Sequence, residues 1–163
     1  MMSLKRILLP VDFSERSVHA QKYACALVEQ FDAELHLLHV LQDLAGIVSD
    51  PVFGTPIGGC IQQDSRETVE ERLRAMFDPK WAEERHVVCA TAQGTPFLEI
   101  IRYAKTNDID VIVATTHGRT GLSRVLWGSV AEMVVRKAPC PVLVVRPTGH
   151  QFVMPWPCRG KGV

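Results

Sequence analysis

Two glycines and a serine in the second half of the chain have the residue types and the spacing to hold a phosphate group. Residues 115–130 read T-T-H-G-R-T-G-L-S-R-V-L-W-G-S-V, so nine residues separate Gly118 from Gly128, and Ser129 follows at once. Glycine lets a backbone approach a phosphate closely, and a helix N-terminus offers unpaired N–H groups with about half a positive charge. The spacing fits a phosphate site, and it fits equally a plain loop in which Ser129 is an ordinary helix N-cap.

The side chains between these glycines carry positive charge and a titratable ring. Arg119 and Arg124 are long enough to reach a bound anion, and His117 either orients the loop or lies near a phosphate. The chain has no G-x-G-x-x-G after a strand and no G-x-x-x-x-G-K-[ST], which argues against a dinucleotide site and a P-loop. Because the G-x-S-x-G nucleophile elbow is also missing, we predict no triad of Asp12, His117 and Ser129 and no other catalytic residue.

Asp12 stands where the first apolar run of the chain ends. Residues 6–11 read as a buried strand, and Asp12 follows them directly. With Glu15 three residues further on, Asp12 resembles a capping box at the start of the first helix. It is also placed to contact a ligand, because ligands of open parallel sheets bind at the carboxyl ends of strands where the strand order reverses. The two roles are compatible, and the sequence leaves both open.

Apolar runs alternate with helical periods along the chain, and this alternation predicts the elements that position these residues. Strands are predicted over 6–11, 35–40, 86–91, 109–114 and 142–145, and helices over 14–31, over 62–77, and from Thr95 and Gly128 onward. Asp78-Pro79 ends or breaks the second helix. Residues 41–61 are predicted to form a long loop, of the kind that tends to be a functional lid or a mobile segment. Strand–helix alternation predicts an α/β fold with a parallel sheet covered on both faces.

Composition limits the class of protein. The chain has 163 residues with 47% hydrophobic and 22% charged residues, which indicates one globular domain. Its formal net charge of +0 argues against a nucleic-acid partner. Residues 1–80 hold 8 basic and 12 acidic side chains, whereas residues 81–163 hold 10 basic and 6 acidic ones. Neutrality therefore excludes a polyanion-binding surface but still leaves room for a small anionic ligand.

Membrane spans and metal sites are not predicted. The apolar run near the start is too short for a signal peptide, and no stretch approaches the ~18 apolar residues of a span, so we predict a cytoplasmic protein without a membrane partner. The five cysteines include no C-x-x-C pair, which argues against a disulfide framework and a zinc site. His36 and His39 lie an odd number of residues apart on one strand, so they face opposite sides and cannot share a metal.

Several blocks of the sequence, in the same order, resemble the universal stress protein family. They are T-H-G-R-T-G-L-S-R at 116–124, G-S-V-A-E at 128–132, A-P-C-P-V-L-V-V-R at 138–146, the opening I-L-L-P-V-D-F-S at 7–14, and His39-Val40. The resemblance covers residues 3–146. It divides the chain into a UspA-like universal stress protein domain over 1–146 and a C-terminal extension over 147–163 that contains three prolines and three glycines.

The resemblance implies a fold and an assembly. The fold is a doubly wound, Rossmann-like sheet of five parallel strands in the order 3-2-1-4-5, of the adenine nucleotide alpha hydrolase-like kind. The sheet would reverse between the first and fourth strands, next to Asp12 and Gly118. The family commonly forms a homodimer along the fifth strand, which here comprises Val142, Leu143, Val144 and Val145.

The resemblance also implies a site. One branch of the family binds ATP through a G-x-x-G-(nine residues)-G-[ST] loop, and Gly118, Gly128 and Ser129 match its phosphate-binding positions. Asp12 matches the acidic residue near the ribose and adenine, and Val40 matches a main-chain contact to the base. The predicted nucleotide-binding residues are Pro10, Val11, Asp12, Val40, Thr115, His117, Gly118, Arg119, Gly128, Ser129 and Val130.

Two functions follow from the resemblance. The first is a stress-response protein that binds ATP, alone or with Mg²⁺, at the switch point between the first and fourth strands, with at most weak ATP hydrolysis. The second is a dimeric adaptor of the same fold that binds no nucleotide. Thr115 motivates this alternative, because it places a β-branched side chain where the ATP-binding branch has the first glycine of its loop.

Overall fold

The computed structural model describes residues 3–42, 66–115 and 129–145. The elements found in these ranges, in chain order, are β1 Arg6–Pro10, α1 Glu15–Phe31, β2 Glu34–Leu41, α2 Arg66–Arg74, α3 Pro79–Glu84, β3 Val87–Gln93, α4 Pro96–Thr106, β4 Val111–Thr115, α5 Ser129–Lys137 and β5 Val142–Val145. Most of the predicted loop over 41–61 and the whole extension over 147–163 lie outside them.

The strands form one sheet in the order β3-β2-β1-β4-β5, and all neighbouring pairs are parallel. The predicted doubly wound fold with the order 3-2-1-4-5 is therefore confirmed. Strand β1 lies at its centre, where Leu8 pairs with His36 of β2 on one side and with Ile112 of β4 on the other. The strand order thus reverses between β1 and β4.

Helices cover both faces of the sheet, and the alternation of side chains along β1 shows how. Ile7 and Leu9 belong to the cluster beneath α1 and α2, whereas Leu8 belongs to the cluster beneath α4 and α5. All three side chains are 0% exposed. Because both faces are buried, the central strand reads as a continuous apolar run rather than as an alternating one.

A carboxylate joins the amino ends of the two central strands. Asp110 lies directly before β4, and its Oδ2 accepts hydrogen bonds from the backbone N–H groups of Lys5 at 2.7 Å and Arg6 at 2.9 Å. The Asp110 N–H donates in turn to the Arg6 carbonyl at 2.9 Å. These three bonds hold together segments that lie 105 residues apart along the chain.

The second helical region differs from its prediction. Helix α2 ends at Arg74 instead of Phe77, and a separate short helix, α3, follows from Pro79. The Asp78 side chain accepts hydrogen bonds from the N–H groups of Lys80 at 3.0 Å and Trp81 at 3.2 Å, which makes it the N-cap of α3. Asp78-Pro79 therefore begins α3 rather than ending α2, since aspartate suits the N-cap and proline the first helical position.

No helix in the described parts of the chain is long and apolar enough to cross a membrane.

His36 is buried between β2 and α4 with a limited set of polar partners. It is 5% exposed, and its Nδ1 lies 2.9 Å from the Tyr103 hydroxyl. Its Nε2 lies 3.6 Å from Glu34 Oε1 and has no hydrogen-bond partner among the described residues. Burial lowers the pKa of His36, Glu34 opposes this shift, and Arg6 adds to it. Burial also raises the pKa of Tyr103, so both partners are neutral near pH 7.

This burial makes a pH dependence of stability predictable. Since the pKa of His36 is lower in the folded protein than its ordinary value of 6.5, the unfolded chain binds a proton there first. The free energy of unfolding is therefore expected to fall as the pH drops below about 6.5, and to level off below the folded pKa. Urea unfolding at a series of pH values measures this decline in the free energy of unfolding. His36→Asn should flatten the decline, and His86→Asn, the same change at an exposed residue, is the matched control. Equal flattening in both variants would contradict the assignment to His36.

Candidate functional site

The predicted site residues that the structure describes lie at or next to one edge of the sheet. Because all five strands are parallel, the carboxyl ends of β1 at Pro10, β2 at Leu41 and β4 at Thr115 meet at the same edge. Helix α1, which follows β1, packs on one face, whereas α5, which follows β4, packs on the other. Two helices that leave neighbouring strands on opposite faces open a crevice between them, and such crevices hold the ligands of doubly wound folds.

Asp12 is held at the mouth of this crevice by hydrogen bonds to one of its carboxylate oxygens. Its Oδ1 accepts from the Ser14 N–H at 3.0 Å, from the Ser14 hydroxyl at 2.7 Å and from the Ser17 hydroxyl. The Asp12 N–H donates back to the Ser17 Oγ at 3.2 Å. Both the backbone and the side chain of Asp12 are therefore fixed by the first residues of α1.

The predicted capping box of Asp12 and Glu15 is wrong. Helix α1 begins at Glu15, so its N-cap is Ser14, whose side chain makes no cap hydrogen bond. Asp12 lies two residues before that N-cap and accepts from the N–H two residues ahead, which is the pattern of an Asx turn. The sequence spacing suggested a box because it gave no sign that Phe13 turns the chain before the helix begins.

Phe13 adopts a backbone conformation that is uncommon for a bulky residue. Its φ of 59° lies in the left-handed region, where a side chain other than that of glycine is strained. Neighbouring side chains hold it in place: the His39 ring centroid lies 4.8 Å from that of Phe13, and the Arg72 guanidinium carbon lies 3.9 Å above the ring. The cation and the ring attract each other through the ring's quadrupole. Residues of β2 and α2 thus support the turn that carries Asp12.

His39 has a fixed proton position in this turn. Its Nδ1 lies 2.7 Å from the Val11 carbonyl oxygen, and since a carbonyl only accepts, the geometry assigns the proton to Nδ1. The Val11 N–H donates to the Leu38 carbonyl at 2.8 Å. As predicted, His36 and His39 lie on opposite faces of β2, because His36 contacts Tyr103 of α4 and His39 contacts Phe13.

Val40 and Val130 lie on the face of the sheet covered by α4 and α5. Both are partly buried and pack against the same cluster of buried residues, which includes Ala114 at the end of β4. Val130 is the second residue of α5, so its side chain contributes to the core as well as to the proposed site. Val11, in contrast, is 4% exposed and belongs to the cluster beneath α1. Val11 therefore lies on one face of the sheet, and Val40 and Val130 lie on the other.

Thr115 occupies an ordinary strand position. It pairs with Val145 of β5 and is the last residue of β4. Among the described residues, the non-glycine residues with positive φ are Phe13, Asp32, His86 and Asp108. Thr115 is not one of them, so threonine imposes no backbone strain where the family's ATP-binding branch has glycine.

The glycine loop itself lies outside the described residues. His117, Gly118, Arg119, Arg124 and Gly128 all fall between Thr115 and the start of α5. Ser129 is the first residue of α5, a helix of 9 residues, so the predicted helix start is confirmed. The position of α5 after β4 places its N-terminus at the edge of the sheet where the strands end.

Sequence reasoning missed most of the residues that support Asp12. Ser14 carried a signal, since an aspartate side chain often bonds to the backbone two residues ahead. Ser17, five residues after Asp12, lies outside such local patterns. Phe13, His39 and Arg72 carried no signal, because their contact depends on how β2 and α2 pack. Within the described residues, no three histidine, cysteine, aspartate or glutamate side chains come together as a metal site.

Fold and site define a doubly wound α/β protein with an acidic residue fixed at the switch point. The family model for the universal stress protein family matches residues 3–146. Universal stress protein MJ0531 of Methanocaldococcus jannaschii is 39% identical over 144 residues, which cover 87% of this chain and 82% of that protein. The chain belongs to the universal stress protein family.

Solved structures agree with this assignment. Universal stress protein UspA from Lactobacillus plantarum has a TM-score of 0.68 at 25% identity, with coverage of 90% of this chain and 100% of that one. The structure of protein MJ0577 has a TM-score of 0.65 at 30% identity, with coverage of 91% and 100%. The resemblance predicted from the sequence blocks is therefore confirmed.

Proposed function

We propose that this chain binds an adenine nucleotide, ATP, in the crevice between β1 and β4. The observation that carries the proposal is the position of Asp12, a carboxylate fixed directly after the central strand at the point where the strand order reverses. A carboxylate at this point of a doubly wound sheet is suited to accept hydrogen bonds from the hydroxyls of a ribose. The N-terminus of α5 is suited to receive the phosphates.

Each predicted residue has a role in this proposal. Asp12 faces the sugar, and the main chain of Val40 contacts the base, with Pro10, Val11 and Thr115 forming the walls of the crevice. Ser129 and Val130 begin the helix that receives the phosphates. The residues proposed to wrap the phosphates are His117, Gly118, Arg119 and Gly128.

Adenine nucleotides occur on this fold. A universal stress protein solved in complex with cAMP has a TM-score of 0.58 at 18% identity, and one from Arabidopsis thaliana solved with AMP bound has a TM-score of 0.56 at 17% identity. At these identities the likeness is one of fold, so these structures support the class of ligand. The triphosphate is inferred from the glycine loop and its two arginines, which provide donors for a longer anion than AMP carries.

Thermal unfolding with and without ATP and Mg²⁺ tests the proposal, together with mass analysis of nucleotide released from the purified protein. A ligand present at about 100 times its Kd stabilises the folded state by about 2.7 kcal/mol, so the melting temperature should rise measurably. GTP, with the same phosphates and a different base, is the matched control ligand. A smaller shift with GTP supports recognition of adenine.

Thr115→Gly separates this proposal from the adaptor. It restores the first glycine of the loop at a position without backbone strain. Binding of ATP by the wild type supports the proposal. If the Thr115→Gly variant binds ATP and the wild type does not, the proposal is overturned and the adaptor is favoured. The Thr115 side chain would then be what prevents binding in the wild type. If neither protein gains stability or carries nucleotide, the proposal is also overturned.

We also propose that the chain forms a homodimer through β5, the outermost strand on the β4 side of the sheet. This strand is at the end of the sheet order, and Leu143 within it is 38% exposed. Val135 of α5, the helix before this strand, is 40% exposed. Exposed apolar edge strands are usually paired or covered, because they offer unpaired backbone groups to other chains. Light scattering at micromolar concentration should give twice the mass of the chain. A monomer at that concentration would contradict this assembly.

A further inference from the structure

Ser17 is a buried hydroxyl whose described contacts are with Asp12 and with the backbone before it. The residue is 3% exposed and lies in the first turn of α1. Its hydroxyl donates to Asp12 Oδ1, and the same oxygen accepts from the Asp12 N–H. Its own N–H donates to the Ser14 carbonyl at 3.0 Å. The hydroxyl therefore binds the side chain and the backbone of Asp12 at once.

This arrangement restricts the Asp12 side chain. If the carboxylate turned away, the Ser17 hydroxyl would lose its acceptor in a place that water scarcely reaches, and unsatisfied buried donors are costly. Ser14 also donates to Oδ1, but it lies in the same turn as Asp12 and moves with it. Ser17 is part of a regular helix packed on the sheet. Among the described contacts of Asp12 Oδ1, the bond from Ser17 is thus the one that ties the carboxylate to this helix.

We propose that Ser17 is a positioning residue that holds the Asp12 carboxylate in one orientation for the hydroxyls of a nucleoside sugar. The inference deepens the proposed function and rests on it for the identity of the ligand. The three described donors all bond to Oδ1, so the orientation of the carboxylate is restricted before a ligand arrives. A carboxylate accepts hydrogen bonds through both oxygens, and a fixed plane favours a pair of neighbouring hydroxyls over a sugar that lacks them.

The first experiment needs no ligand. In isotope-labelled protein, three-bond couplings from Asp12 Cγ to the backbone nitrogen and carbonyl carbon report the χ1 rotamers of Asp12. The wild type should show one rotamer, and Ser17→Ala should show averaged couplings. The double variant Ser14→Ala/Ser17→Ala should show stronger averaging. If Asp12 keeps one rotamer in both variants, the positioning role is overturned, whatever the protein binds.

The second experiment measures sugar recognition. Titration calorimetry gives the affinity for ATP and for 2′,3′-dideoxy-ATP, which lacks both hydroxyls. Because hydrogen bonds to a charged group are strong, the wild type should prefer ATP by about tenfold or more. Ser17→Ala should lose most of this preference through weaker ATP binding, with the affinity for the dideoxy analogue nearly unchanged. Equal weakening for both ligands would overturn the inference.

Cys25→Ala is the matched control. Cys25 is also buried in α1, at 0% exposure, and its replacement removes one heavy atom beyond Cβ, as Ser17→Ala does. It should retain the wild-type preference for ATP and the single Asp12 rotamer. If the wild type binds no adenine nucleotide but the rotamer of Asp12 still depends on Ser17, the proposed function fails and the positioning role of Ser17 is upheld.

Discussion

Leu8→Ala is expected to lower the free energy of unfolding by about 3 kcal/mol, within the range of buried leucine truncations. Leu8 is 0% exposed and lies in the central strand, between β2 and β4. Its side chain belongs to the buried cluster beneath α4 and α5. Because the neighbouring strands are held by their own backbone pairing, they cannot move inward to fill the cavity. Most of the packing contacts of the Leu8 side chain are therefore not replaced.

Urea unfolding followed by circular dichroism measures this loss, since a domain of this size is expected to unfold cooperatively. Leu98→Ala is the matched control, because Leu98 is 48% exposed on α4 and the same atoms are removed. Its effect should stay within about 0.5 kcal/mol, as for most surface substitutions. Similar losses in the two variants would contradict the description of β1 as the centre of the core.

Asp12→Ala is expected to lower the free energy of unfolding by about 2 kcal/mol, even with no ligand present, because a buried hydroxyl loses a charged acceptor. The affected donor is the Ser17 hydroxyl, and the Ser14 N–H and hydroxyl lose the same partner. This result differs from the usual behaviour of binding-site residues, whose removal often stabilises a protein at the expense of function. Asp12 thus serves the fold and the proposed site together.

Asp12→Asn is the informative comparison for that variant. Its amide oxygen still accepts hydrogen bonds but carries no charge, so the loss should be about half as large. Thermal and urea unfolding of both variants, without nucleotide, measure the difference. An Asp12→Ala protein at least as stable as the wild type would show that the turn does not depend on the carboxylate.

The fold could be predicted from the sequence because its signals are local. Alternating apolar runs and helical periods gave all five strands, and β5 over Val142–Val145 was predicted with its observed bounds. Helix α3 was missed, because Asp78-Pro79 is equally a stop for one helix and a start for another. Strand order is a long-range property that the periods alone do not contain, and the family resemblance supplied it.

The candidate site could be predicted only as far as the positions of its residues. The position of Asp12 after β1 could be predicted from the sequence, whereas the hydrogen bonds that hold its side chain could not. The left-handed turn at Phe13 depends on contacts with His39 and Arg72, which come from elements distant in the sequence. A capping box was the natural prediction from spacing, and tertiary packing decided against it.

The bonds from Asp110 to Lys5 and Arg6 have a consequence for how this protein is made. The central strand is the first to leave the ribosome, but its partner β4 is bound through a carboxylate 105 residues later. At about 5–20 residues per second, synthesis of that interval takes several seconds or more, during which one edge of β1 has no strand to pair with. The nascent chain therefore exposes one edge of an apolar strand during this interval. Until β4 is made, this segment needs protection from aggregation, either by chaperones or by early pairing with β2.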